Sequence, residues 1–250
     1  MTKVPSIVEK RLKTEIPKFQ KILKHAQQRD INEADTVAII SDMLERVFGF
    51  DKYEDVTREF AIKNTYVDLA IKTGKEIDYL IEAKSIGTTL KELHLKQAID
   101  YAANKGVQWT ILTNGINWQI HRVTVDGKVT NEKIFEFNFL EISNRNSDHL
   151  NTLFMLCKKA ISKGLINEFY EQAQCFNKYV IGTILQTEAI AKPIRTLLRK
   201  LNPGLKVDIH DIQEMISNDV LKRELVESDN NDGQALIKKT KSKLTKLFKK

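Results

Sequence analysis

The chain has 250 residues, 42% of them hydrophobic and including eleven Phe and two Trp, enough to bury one large domain or a domain with an appendage. This composition excludes a disordered chain, and no stretch approaches the roughly 20 apolar residues of a membrane span. The net charge of +7 is uneven: the last 17 residues carry seven Lys and no acid, the first 29 carry +6, and residues 30–233 are left at −6. Basic ends on an acidic body suit a polyanionic partner, and equally suit plain solubility. The opening "MTKVPSIVEKRLKTEI" is charged throughout and lacks the apolar block of a signal peptide. Cys157 and Cys175 are too few and too plainly spaced for a disulfide framework or a zinc site. A cytoplasmic protein with buried thiols is expected.

In chain order, residues 6 to about 28 have mixed helical periodicity, with Pro17 marking a break or a restart, and residues 1–30 read as an N-terminal helical arm. "INEADTVAIISDMLERVFGF" reads as a helix: Val37, Ile40, Met43, Leu44 and Val47 recur at three and four, and Gly49 is its stop. "DVTREFAI", "YVDLAIK" and "EIDYLIEAK" then alternate or run apolar at strand length, separated by short polar turns, and predict a meander. "TLKELHLKQAIDYAANKG" returns to helical spacing and stops at Gly106. "VQWTILTNG" is a strand, and "INWQIHRVTV-DG-KVTNEKIFEF" is a hairpin turning at Asp126-Gly127.

The polar stretch 143–148 reads as a boundary after a domain of 31–142. Beyond it, residues 149–225 are expected to be helical, in segments of about 149–163, 166–187, 189–201 and 208–225. Residues 226–250 read as a flexible linker and a lysine-rich tail that turns helical when bound. The fold class is therefore α/β, in the sense of a mixed sheet flanked by helices, with a C-terminal all-helical region.

On "IDYLIEAK" the pleat sends Leu80, Glu82 and Lys84 to one face. On "TYVDLAI", Tyr66, Asp68 and Ala70 share a face. Pairing of these strands as a hairpin can bring Asp68 beside Glu82. Two carboxylates on one sheet face repel unless a positive group lies between them, and Mg²⁺ suits one or two carboxylates. Lys84, on the same face, can hold a water or neutralise charge developing on phosphorus. The bland alternative is a solvated ion pair, which contributes little. The flanking residues are apolar on both faces, and stranding three charges there is costly without a partner or a metal.

An acid-x-lysine triplet is weak evidence alone, and a second one, Asp126-Gly127-Lys128, sits in a hairpin turn. The first triplet has context: Asp68 on the strand before it, and Gln97 and Tyr101 at i and i+4 on the helix after it. With the order D, E-x-K, Q-x-x-x-Y and then "TNGINW", residues of about 31–140 resemble the PD-(D/E)xK nuclease superfamily. They are similar in particular to the N-terminal nuclease domains of type I restriction enzyme R subunits. Val67 stands where the motif's proline would be. The chain has no G-x-x-x-x-G-K-[ST], so the helicase motor of R subunits is not expected.

The resemblance implies a restriction-endonuclease-like core and a Mg²⁺-dependent deoxyribonuclease, with Mn²⁺ as a substitute, acting in restriction-modification or a related defence. It implies Asp68, Glu82 and the Ala83 carbonyl as metal ligands, and Lys84 as the catalytic lysine. Gln97 and Tyr101 would lie beside the site. A further acid is expected from an early helix or strand, Glu45 or Glu59. DNA is the expected partner. Other subunits of a defence complex and a homo-oligomer through the C-terminal helices are further expectations, and no membrane is expected. The alternative is a catalytically inactive nuclease-fold module that binds nucleic acid or a partner protein. Trp109 and Trp118 are expected in the core.

Overall fold

A computed structural model of the chain describes residues 3–62, 65–228 and 231–248, with the side chains of 59–62, 65–66 and 231–232 outside that description. The first helix, α1 (Ser6–Gln28), buries Val8, Leu12, Ile16, Phe19 and Leu23, one apolar stripe at steps of three and four. It is therefore part of the core and not an arm. Nor does Pro17 break it. A proline frees the carbonyl four residues earlier. Here that carbonyl, on Lys13, accepts from Asn144 Nδ2 at 3.0 Å. Gln20 Nε2 donates to the carbonyls of Phe139 at 3.0 Å and Ile142 at 2.7 Å, and Arg11 Nε donates to Val47 O at 3.0 Å. The Gln20 and Arg11 bonds tie α1 to backbone carbonyls at the ends of neighbouring elements.

Helix α2 (Glu33–Met43) starts at Asn32, whose side chain accepts from Asp35 N–H at 2.9 Å. It continues as a π-turn, Leu44–Phe48, and ends at Gly49 with φ +81°, the expected stop. Strands β1 (Val56–Ile62), β2 (Thr65–Ile71) and β3 (Tyr79–Ala83) form the expected antiparallel meander. A 3₁₀ turn, Glu92–Leu95, and α3 (Lys96–Lys105) cross over to β4 (Trp109–Thr113), which pairs parallel to β3. The hairpin of β5 (Asn117–Asp126) and β6 (Lys128–Asn138) turns at Gly127, with φ +69°. Six strands thus form one mixed sheet in the order β1 to β6.

Both faces of the sheet are covered. Leu80, Leu112 and Val123 meet Leu95, Ala98, Tyr101 and Ala102 of the crossover segment. On the other side, Trp118 is fully buried against Phe48, with ring centroids 5.3 Å apart. Gly115, at φ +83°, lets the β4–β5 turn approach α1: a Cβ there would meet Leu23 at 3.2 Å. Trp109 is buried as well, so both tryptophans are core residues, as expected.

The chain divides into two compact units, 1–167 and 168–250. The first runs past the polar stretch 143–148, because α4 (Ser147–Phe154) and α5 (Lys158–Ile161) bury Leu150, Leu153, Phe154 and Cys157. Helix α6 (Leu165–Cys175) carries the division. The second unit continues with α7 (Lys178–Leu185), α8 (Glu188–Leu201), α9 (Ile209–Met215) and α10 (Arg223–Val226). Helix α8 matches the expected 189–201, whereas the segments expected at 166–187 and 208–225 are broken into shorter helices. The Asn177 side chain caps a new helix by accepting from Val180 N–H at 3.0 Å, which splits 166–187. Its core is Ala191, Ile212 and Ile216 with Ile194 and Leu198 around them. The lysine-rich segment is itself helical, α11 (Asn231–Phe248), with Ile237 and Thr240 buried. A helix that forms only on binding is thus replaced by one packed within its own unit. Cys175 is exposed, against the expectation of two buried thiols, whereas burial pushes the Cys157 thiol up to about 12.

Candidate functional site

Strand β3 is buried along its whole length, so both its faces lie in apolar surroundings. Its pairing with β2 runs Ile71↔Tyr79, Ala70↔Leu80, Leu69↔Ile81. One further step of that register sets Asp68 across from Glu82. At that step the ladder gives way to a side chain: Asp68 Oδ2 accepts from Ala83 N–H at 2.7 Å. The parallel neighbour β4 takes over just beyond, where Lys84 N–H donates to Thr113 O at 2.9 Å. Glu82 and Lys84 are thereby fixed at the carboxyl end of the strand.

Glu82 is only 7% exposed. Its Oε1 accepts from Lys84 Nζ at 2.7 Å, and its Oε2 is buried without a hydrogen-bond partner. Burial pushes the Glu82 carboxyl above its ordinary value of 4.5, the bond from Lys84 pulls it back, and the charges of Asp68 and Glu33 push it up again. Lys84 Nζ also donates to Ala83 O at 2.8 Å and lies 3.5 Å from Glu33 Oε2. Burial alone would lower the lysine. The Glu82 hydrogen bond and the charges of Glu82, Glu33 and Asp68 outweigh it, and Lys84 ends above its ordinary 10.5.

The structure therefore brings together Asp68, Glu82, the Ala83 carbonyl and Lys84, and adds Glu33. Glu45 is exposed at the π-helical end of α2, and it is Glu33, at the first turn of that helix, that reaches Lys84. The side chain of Glu59 lies outside the described residues. The sequence holds no separate signal for Glu33, because an acid in a first helical turn is accounted for by the helix dipole alone. Tyr101 is 6% exposed and packs with Val67, Leu80 and Leu112, on the sheet face that bears Glu82. Burial raises its hydroxyl. Gln97, one turn earlier, is exposed. His94 folds back onto its own turn, where Nδ1 accepts from Lys91 N–H at 3.3 Å.

Among the described residues no group of three or more His, Cys, Asp and Glu is gathered to hold a metal ion. The oxygens of Asp68 and Glu82 fit Mg²⁺, which takes one or two carboxylates and completes its shell with water. The orphaned Oε2 of Glu82 is a buried acceptor without a hydrogen-bond donor, which is the observation favouring that fit. Ala83 O and Glu82 Oε1 already accept from Lys84, so a metal and this lysine compete for the same oxygens.

No protein-family model, curated protein or solved structure matches the chain.

Proposed function

We propose that the protein is a Mg²⁺-dependent endonuclease that hydrolyses DNA phosphodiester bonds, on a restriction-endonuclease-like core. The observation that carries this reading is the buried Glu82, with one oxygen on Lys84 and one orphaned, at a strand end beside Asp68. Asp68 and Glu82 would hold the ion, with Mn²⁺ as a substitute. Bound there, a divalent ion supplies an acidified water and charge neutralisation at phosphorus.

The chain's own groups divide the remaining work. Asp68 is held in place by the Ala83 N–H. Lys84 has its ammonium stabilised by three carboxylates, so it is a cation at neutral pH and not a general base. It can orient a water by donating to it, and can offset negative charge growing on the phosphoryl oxygens. Tyr101 keeps the wall of the site apolar and dry. Water adds to phosphorus, the P–O3′ bond breaks and O3′ takes a proton, giving a 3′-hydroxyl and the 5′-phosphate that the resemblance implies.

The basic segments at either end of the chain suit a polyanion and support DNA as the partner. Leu197 and Leu201 of α8 are exposed, which supports self-association or docking of a defence-complex subunit through the C-terminal helices. A cytoplasmic location goes with this reading; no helix among the described residues is long and apolar enough to cross a membrane.

The test is cleavage of supercoiled plasmid with Mg²⁺ or Mn²⁺ by the wild type and by Asp68→Ala. Cutting by the wild type that Asp68→Ala lowers by about 10²–10³ supports the assignment. Equal cutting by both removes it. Salt-sensitive DNA binding with no cutting by either identifies the alternative, a nuclease-fold module that binds without cleaving.

A further inference from the structure

A pocket of about 620 Å³ opens at the carboxyl ends of the two parallel strands. One wall is the loop Ile86–Leu90, which follows β3, and the other begins at Asn114, just beyond β4. Open α/β sheets bind ligands at this end of their strands. The loop leaves Lys84 only two residues earlier, so the pocket mouth is within ~7 Å of chain from that lysine.

The walls are fixed before any ligand arrives. Asn114 Nδ2 donates to Ile86 O at 3.1 Å and Thr88 O at 3.0 Å, while its Oδ1 accepts from Ile116 N–H at 3.1 Å and Asn117 N–H at 2.7 Å. One buried amide thus spends its whole bonding capacity on joining the two loops. Gly87 lies so close to Asp30 that a Cβ there would stand 2.5 Å from Asp30 Oδ1. Asp30 itself has φ +46°, a left-handed conformation unusual outside glycine. Strain of that kind persists where the surroundings hold it in place.

The lining chemistry narrows the ligand. Its two acidic residues are Glu136 and Glu141, and the lysine against them, Lys133, is held by Glu136 Oε2 at 2.9 Å, so the lining is unsuited to a phosphate. Asn117 and Gln27 present amides, Gln119 spends its Nε2 on Glu136 Oε2 at 3.3 Å and presents its Oε1, and the partly buried Phe137, stacked on Trp118 with rings 5° from parallel, adds an aromatic wall. Amides and carboxylates together accept from exocyclic amino groups: Asn and Gln pair with adenine, and Glu accepts from cytosine N4.

We infer that this pocket binds adenine or cytosine, by accepting from the exocyclic amino group, next to the phosphodiester that Lys84 addresses; guanine, whose O6 and N7 call for a free cation, is disfavoured. The inference rests on the nuclease reading for its biological sense, but its test does not. The experiment is saturation-transfer NMR of adenosine, cytidine and thymidine with the full chain, free of metal. Transfer to adenosine or cytidine, weaker for thymidine and reduced about tenfold in affinity by Asn117→Ala with Gln119→Ala, is the expected result. Lys128→Ala, at the exposed tip of the β5–β6 hairpin and outside the pocket lining, should leave it unchanged. Absence of transfer, equal transfer to thymidine, or transfer that the amide double variant does not alter would overturn the inference. Nucleoside binding without plasmid cleavage leaves the pocket standing and removes the nuclease, and the reverse removes the pocket alone.

Discussion

The molecule holds two acid-x-lysine triplets in opposite surroundings. Glu82-Ala83-Lys84 ends a buried central strand, whereas Asp126-Gly127-Lys128 caps the tip of the β5–β6 hairpin and is exposed at all three positions. At the tip both charges are hydrated, and the triplet is accounted for by Gly127, whose positive φ makes the turn. In the strand the charges are largely withdrawn from water, so each needs a partner, and one Glu82 oxygen still has none. The same letters mean turn chemistry in one place and a candidate reaction centre in the other. Burial makes the difference.

The largest expected effect sharpens that contrast. Lys84→Ala should lower metal-dependent plasmid cleavage by about 10²–10³, while Lys128→Ala leaves it within twofold, as measured by initial rates. The second effect is on stability. Lys84→Ala leaves Glu82 buried without its cation and should cost about 2–4 kcal/mol in urea unfolding, discounted a little for the partial exposure of the lysine. Lys128→Ala should cost under about 0.5 kcal/mol.

A third prediction concerns pH. The folded Glu82 carboxyl titrates above its ordinary 4.5, so the folded state holds this proton more tightly than the unfolded one. Its contribution therefore falls as pH rises from 4.5 through the folded value, and stays low above it. Glu82→Gln should remove that loss. In thermal melts the variant should be at least as stable as the wild type at neutral pH and lose its advantage at pH 4, although it is inactive. A variant markedly less stable than wild type at neutral pH contradicts this sign. The smallest effect lies away from the site: Asn144→Ala uncovers the Lys13 carbonyl freed by Pro17 and should cost about 0.5–1.5 kcal/mol by urea unfolding.

Asn144 also shows why parts of the fold were hard to read. The meander, the crossover helix and the Asp126-Gly127 hairpin follow from local periodicity and turn residues, and these were legible. Pro17 and the polar run 143–148 looked like a helix break and a boundary. They answer each other across 131 residues of chain, a long-range bond with no local signature. The α1 stripe from Val8 to Leu23 was visible as spacing, yet what it packs against was not. The pairing of Asp68 with Glu82 was legible because register in a short meander is set by its turns. Glu33 was not, because only the placement of α2 brings it to Lys84. The pocket's amides are equally silent in sequence, where Asn114-Gly115 reads as no more than a turn.

The central claim is that Asp68 and Glu82 together hold a divalent ion. Anomalous diffraction from a crystal soaked in Mn²⁺ tests it most directly. The account predicts a peak bonded to carboxylate oxygens of both residues, with Lys84 Nζ displaced from Glu82 Oε1 or Ala83 O, and no peak in Glu82→Gln. Well-ordered wild-type crystals with no peak at this strand end, and with Lys84 still on both oxygens, would contradict it.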